Sequence, residues 1–405
     1  MAHLNAAAGY LSRVIFDALV DDDRVVAGQS LNWMLSTWNA SADPHQAQIS
    51  AAQCLTFQAC RSPGITVTHR IEPGQVETDT VRFGVLDEQP ITTPYFLRAP
   101  RNGDMYVWPQ QTRNALLAPL PYGDPFEAPE FQASAELTNP GSDSVEAGFW
   151  NEAAFRTNDQ ARGEVRRPVT VVPRVDVKLD PSNELWPLTS GVPHRFTVTL
   201  THGARDSTMG TITLQVPRGW PAVAPQRFQF GHEDERETFA FDLKPPARLR
   251  PGSFEIKAVA RDLGGTAYDV GVYSVDYPHI HPRTYPKPAT TSLRVASLLL
   301  PHLARVGYIR GAADRVPEAL TSIGVPLTLL GPAALEQGDL NRYDAIIVGP
   351  RAYEVDSALV ENNRRLLEYA RRGGLVIVQY QQQAYFNGGF APYPLQVGGP
   401  SPRGV

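Results

Sequence analysis

Over the last quarter of the chain the apolar residues fall into short continuous runs separated by stretches of helical spacing, which predicts strands alternating with helices. Residues 305–310 (R-V-G-Y-I-R) are a short apolar run ending at Gly311. Residues 316–323 (V-P-E-A-L-T-S-I) carry apolar positions at helical spacing behind Pro317, and Gly324 stops them. Strands are predicted over 326–330 and over 343–349 (Y-D-A-I-I-V-G), a run of the kind buried on both faces of a parallel sheet. A helix over 357–372 puts Leu359, Leu366, Leu367 and Ala370 inward and ends at Gly373-Gly374, and a fourth strand follows at 375–380 (L-V-I-V-Q-Y). Right-handed crossovers and a parallel sheet follow from this alternation. The expected sheet stops before it is complete, as in a piece of something larger.

Upstream the period changes to two. Residues 22–173 read as a first β-sandwich, with alternation at 65–68 and 81–85 and Gly28 marking a turn. Residues 174–281 read as a second, with strands expected at 175–179, 195–200, 210–216, 236–243 and 253–260 between proline and glycine turns. Residues 282–292, beginning P-R-T-Y-P-K-P, are proline-rich and predict an extended, semi-rigid linker. The α/β unit then occupies 293–405. At the other end, 4–20 predicts an amphipathic helix within an N-terminal element, residues 1–21. The fold class is therefore multi-domain β plus α/β.

A chain of 405 residues is long enough for several cores. Its formal net charge of −5 and the lack of a dense basic cluster argue against nucleic acid as a partner. No run of eighteen apolar residues suggests a membrane span, and the start lacks the basic opening and small-residue cleavage site of a secretory signal. Cys54 and Cys60 lie in C-L-T-F-Q-A-C, which alternates like one strand. On a single strand they stand about 20 Å apart, too far for a bridge without a bend.

Ligands of open parallel sheets bind at the carboxyl ends of the strands. Those ends carry Arg310, Arg351, Tyr353 and Gln381, which are the candidate ligand-binding residues. They offer hydrogen bonding and charge. No G-x-S-x-G or G-x-C-x-G elbow supplies a nucleophile, and Gly311-Ala312-Ala313 lacks the glycine spacing and lysine of a phosphate loop. No catalytic residue is assigned. His279-Ile280-His281 could place two imidazoles on one strand face, but catalytic zinc takes three protein ligands and no third is at hand, so no metal residue is assigned either. His202 and His232 read as solvated turn residues. The aromatic segment 90–129, with Tyr95, Phe96, Tyr106, Trp108 and Tyr122, is either a platform for sugar rings or loop packing against the sandwich, and packing is the better fit to tyrosine and tryptophan.

The runs G-Y-I-R-G-A-A-D-R-V-P-E-A-L, L-N-R-Y-D-A-I-I-V-G-P-R-A-Y, G-G-L-V-I-V-Q-Y and G-G-F-A-P-Y-P-L resemble the C-terminal region of large bacterial PIG-L/LmbE-type deacetylases. The likeness extends through Pro94-Tyr95-Phe96-Leu97-Arg98, Gly163-Glu164-Val165-Arg166-Arg167-Pro168 and Asp276-Tyr277-Pro278-His279-Ile280. The resemblance implies two immunoglobulin-like sandwiches followed by a truncated flavodoxin-like sheet, similar to class I glutamine amidotransferases without their catalytic cysteine. It implies a parent reaction, zinc-dependent hydrolysis of the N-acetyl group of an amino sugar, and an extracytoplasmic setting. The family's His-Pro-Asp-Asp-Glu motif is missing from this sequence; Ala42-Asp43-Pro44-His45-Gln46 and Asp21-Asp22-Asp23 have the wrong order. No zinc ligand carries over, and no cofactor is expected in this chain. The expected function is an accessory, non-catalytic one, with a glycan or amino-sugar substrate met through a linked deacetylase domain. The alternative is a stand-alone α/β protein that binds or hydrolyses a small ligand near Arg310, Arg351 and Gln381.

Overall fold

The computed structural model describes residues 11–54, 60–61, 66–107, 129–140 and 145–395. Strands dominate. The first region contains β1 (Val14–Val20), β2 (Arg24–Val25), β3 (Ser30–Asn39), β4 (His45–Cys54), β5 (Cys60–Arg61), β6 (Thr66–Ile71), β7 (Val76–Gly84), β8 (Phe131–Thr138), β9 (Val145–Glu152), β10 (Ala154–Asp159), β11 (Gly163–Pro168) and β12 (Thr170–Val171). One sheet runs β11-β10-β1-β3-β7, and the facing one runs β5-β4-β8-β9 with β6 also on β4. Strict alternation makes the sandwich: Leu31, Trp33 and Leu35 of β3 point inward against Phe131, Ala133 and Ala135 of β8, and Trp33 stacks on Phe83 at 4.9 Å.

The expected N-terminal helix is corrected here, since residues 14–20 form β1, paired antiparallel with β3 and parallel with β10. The apolar residues of V-I-F-D-A-L-V fit a period of two as well as a helical one, and β3 offers a partner for the backbone. Residues 4–10 lie outside the described residues. Cys54 and Cys60 do not share a strand: β4 and β5 pair antiparallel with these two positions directly opposite.

The second region contains β13 (Val175–Asp180), β14 (Asn183–Pro187), β15 (His194–His202), β16 (Thr208–Gln215), β17 (Gln226–Phe230), β18 (Arg236–Leu243), β19 (Gly252–Asp262), β20 (Ala267–Tyr268), β21 (Val270–Val275), β22 (Arg283–Pro288) and β23 (Thr290–Ala296). Sheet β13-β15-β18 packs on sheet β14-β23-β19-β16-β17 around Trp186, Phe196, Phe230 and Phe241. The proline-rich linker is a second correction. β22 pairs with β21 as a ribbon, and β23 is inserted between β14 and β19. Pro286 and Pro288 are tolerated because β22 is an edge strand, so this sandwich continues to Ala296. His279 and His281 lie in the loop before β22 and not on a strand.

The two sandwiches meet through Val26, Val172, Ala204 and Val272. An ionic cluster rims this contact: Arg205 reaches Asp21 at 3.4 Å, Asp22 at 3.6 Å and Glu233 at 3.8 Å, while Arg24 pairs with Asp234. Burial, with Asp22 close by, pushes the Glu233 carboxyl up to about 7.

The third region contains β24 (Val306–Ile309), α1 (Val316–Ser322), β25 (Leu327–Leu329), α2 (Pro332–Glu336), β26 (Ala345–Val348), α3 (Ala352–Val355), α4 (Ser357–Arg371), β27 (Leu375–Val378) and α5 (Gln383–Asn387). All pairings are parallel, in the order β25-β24-β26-β27. Pro317 sits in the first turn of α1, Asp356 caps α4 by accepting from the Leu359 amide at 3.1 Å, and Gly324 and Gly373 take positive φ behind α1 and α4.

Candidate functional site

The strand-end residues lie on neighbouring strand ends, where the Ala312 amide donates to the Pro350 carbonyl and the Arg351 amide to the Tyr380 carbonyl, and each side chain already has a partner. Arg310 follows β24 and lies over α1, its guanidinium donating to Glu318 at 2.6 Å and to the Asp314 carbonyl at 2.7 Å. Arg351 adopts a left-handed backbone (φ 56°) after β26 and pairs with Glu354 at 2.7 Å. Tyr353 is buried, its hydroxyl donating to Asn363 at 2.7 Å, and burial pushes that phenol up. Gln381 is buried as well, donating to the Gly349 carbonyl at 2.8 Å and accepting from the Tyr353 amide at 3.4 Å. Tyr353 and Gln381 are thus brought together, but the Tyr353 hydroxyl is taken by Asn363 of α4 and the Gln381 amide binds the ends of β26 and β27. The Gly311 amide is likewise taken by the Asp314 carboxylate at 3.1 Å, which also accepts from Tyr308 at 2.8 Å.

A different place has the shape of a binding site. Between the second sandwich and the α/β unit lies an open cleft of 860 Å³, walled by β13, β14 and β15 on one side and by α1 and β25 on the other. His194, the first residue of β15, stacks on the buried Trp186 with ring centroids 3.8 Å apart and planes within 9°. Its Nδ1 meets the Glu184 carboxylate at 2.6 Å. This pairing orients the ring. Nε2 has no protein partner among the described residues, and His194 lines the cleft. Across the opening, Arg315 donates to both oxygens of Asp180 at 2.7 Å, tying α1 to the end of β13. The Asp180 bond holds the Arg315 guanidinium above its ordinary range, and the Glu318 bond does the same for Arg310. In return the Arg310 hydrogen bond pulls the Glu318 carboxyl down, so the Arg310–Glu318 pair stays charged through the neutral range. Arg195 is bound to Asp242 at 2.8 Å. Every guanidinium and imidazole of the lining therefore carries its own carboxylate partner.

Of the strand-end residues, Arg310 alone lines this cleft. Asp180, Glu184, His194 and Arg315 were missed in the sequence because they come from three strands and a helix turn with no spacing to link them. The nearest signal is His194 opening a strongly alternating strand. His202 is not the solvated residue expected: it is fully buried, bonded to the His232 carbonyl and to Thr208, each at 2.8 Å. Of the aromatic segment, Tyr95 is buried and packs edge-on against Phe96, which packs on Tyr106 at 5.2 Å, whereas Trp108 and Tyr122 lie outside the described residues. Among the described residues no group of three or more His, Cys, Asp or Glu side chains is placed to hold a metal ion, and no helix is long and apolar enough to cross a membrane.

Residues 188–262 match the NPCBM-associated, NEW3 domain of alpha-galactosidase. The match falls wholly within the second sandwich and includes the cleft residues His194 and Arg195. No curated protein sequence matches the chain. Three solved structures show a slight similarity. Red sea bream transglutaminase is 11% identical with a TM-score of 0.29, over 73% of this chain and 33% of that one. An alpha-2-macroglobulin from Salmonella is 11% identical with a TM-score of 0.23, over 70% and 16%. That of E. coli is 13% identical with the same TM-score, over 70% and 17%. The chain thus spans a third or less of each of these proteins, and the likeness is too slight to assign a shared fold.

Proposed function

We propose that this chain is the accessory, non-catalytic portion of a PIG-L/LmbE-type deacetylase and serves to position a glycan or cell-surface substrate for hydrolysis of an amino-sugar N-acetyl group. The observation that supports its carbohydrate side is the match of residues 188–262 to a domain of alpha-galactosidase, an enzyme that acts on carbohydrate by its name; its deacetylase side rests on the resemblance of the runs at 307–320 and 340–353. In this reading the sandwiches are immunoglobulin-like, and the parallel sheet, whose strands run 2-1-3-4 in their own order, is the start of a flavodoxin-like, amidotransferase-like fold. Zinc belongs to a linked catalytic domain, since the sequence has no His-Pro-Asp-Asp-Glu motif to bind it. The alternative site near Arg310, Arg351 and Gln381 has little to offer a ligand, because the Gln381 amide is consumed by Gly349 and Tyr353.

The test is deacetylase activity on N-acetylglucosamine derivatives with added zinc, measured with and without a domain bearing His-Pro-Asp-Asp-Glu joined ahead of the chain. The expected result is activity only in the joined protein, with a lower KM for oligosaccharides than the catalytic domain shows alone. Activity of this chain by itself, or a KM indifferent to its presence, overturns the accessory role.

A further inference from the structure

The geometry points to the cleft between the second sandwich and α1 as a binding site for an uncharged oligosaccharide. The choice of a carbohydrate rests on the accessory reading; the location and the neutrality of the ligand rest on the cleft alone.

Size comes first. At 860 Å³ the cleft lies within the range of small-molecule sites and has room for several sugar rings. Its charges come next. Asp180 is bound by Arg315, Glu318 by Arg310 and Glu184 by the His194 ring, so every carboxylate of the lining already has a partner within the protein. It does present unspent hydrogen-bonding capacity. A guanidinium has five N–H donors and a carboxylate several acceptor positions. Arg315 uses only Nη2 toward Asp180, leaving Nη1 and Nε without a protein partner among the described residues. His194 adds Nε2 on a ring held rigid by Trp186 and Glu184. Donors and acceptors in alternation suit hydroxyl groups, each of which donates and accepts. Between these polar points the walls are apolar. Val192 and Leu329, both exposed aliphatic side chains, line the same space. Such strips match the C–H faces of pyranose rings, which a small anion lacks.

The preformed pairs also explain why the site can be open to water and still be ordered. A ligand finds Arg315 and His194 already fixed, so little rotamer freedom is lost on binding.

The test is titration of the full chain with an N-acetylglucosamine tetrasaccharide, followed by calorimetry, and in parallel with a galacturonic acid tetrasaccharide as the charged counterpart. The expected result is saturable binding of the neutral probe that weakens at least about tenfold in Arg315→Ala and in His194→Gln. His194 is buried, so a folding failure of that variant is possible; Val192→Asp, at an exposed position, then takes its place beside Arg315→Ala. Binding left unchanged by Arg315→Ala and Val192→Asp overturns the assignment of the cleft. No saturable binding by ~10 mM overturns it too, while the joined-enzyme assay decides the accessory role separately. Tighter binding of the galacturonic acid probe overturns the neutral-ligand assignment.

Discussion

Strands β26 and β27 are neighbours of nearly equal apolarity, A-I-I-V against L-V-I-V, and their fates are opposite. Ile346 and Val348 are fully buried, whereas Leu375 is 54% exposed and Ile377 43%. The difference comes from position in the sheet. β26 is flanked by β24 and β27 and covered by α4, while β27 pairs only with β26 among the described residues. An apolar run therefore states that a strand is suited to burial; its neighbours decide whether it is buried. The second sandwich shows the other extreme, since Phe196, Val198 and Leu200 of β15 alternate with exposed or half-exposed residues and all three are buried.

The sharpest way to break the comparison is to truncate one isoleucine in each strand. Ile346→Ala should cost about 2–5 kcal/mol, because the site is enclosed and leaves a cavity. Urea unfolding followed by circular dichroism measures it; a loss equal to that of Ile377→Ala would mean that the two strands are equally buried. Next in size is Asp356→Ala, which removes the cap of the crossover helix between the two strands and should cost about 1 kcal/mol. Rescue by Asp356→Ser separates capping from any other role. Ile377→Lys should change stability by less than about 0.5 kcal/mol. The same substitution should reduce concentration-dependent association through the open edge, as seen by sedimentation velocity.

A pH-dependent effect concerns charge at the junction of the sandwiches. The Glu233 carboxyl is raised from its ordinary 4.5 to about 7, so the folded protein holds this proton more tightly than the unfolded chain does. Its ionisation opposes folding fully above about pH 7, and that opposition fades as pH falls through 7 and is gone below 4.5. Folding stability should thus rise on acidification across this window, and Glu233→Gln should remove that part of the slope. A slope unchanged in the variant would overturn that assignment.

Much of the fold was legible in the residues. Alternation placed β15, β16, β18 and β19 within a residue or two, and the Pro-first, Gly-last signature placed α1. The exceptions share a cause. Residues 14–20 satisfy two periods at once, and the prolines of 283–288 read as a linker because an edge ribbon tolerates what a central strand does not. The candidate site was less legible. Arg310, Arg351, Tyr353 and Gln381 were found by the rule for strand ends, but the rule does not say which side chains are already engaged. Gln381 binds backbone, Tyr353 binds Asn363, Arg351 binds Glu354, and only Arg310 reaches the cleft.

By itself the sequence determined most of the segments that become strands and helices, those with a single clear period, because side-chain period and backbone preference act over a few residues. It also determined that no zinc motif of the resembled family is present. Only the tertiary structure decided that β23 joins the second sandwich, that β27 stays exposed, and that Glu184, His194, Asp180 and Arg315 face one cleft. These depend on contacts between residues up to 135 positions apart, as in Arg315 with Asp180. No local pattern encodes a pairing at that distance; it follows from how completed sheets pack.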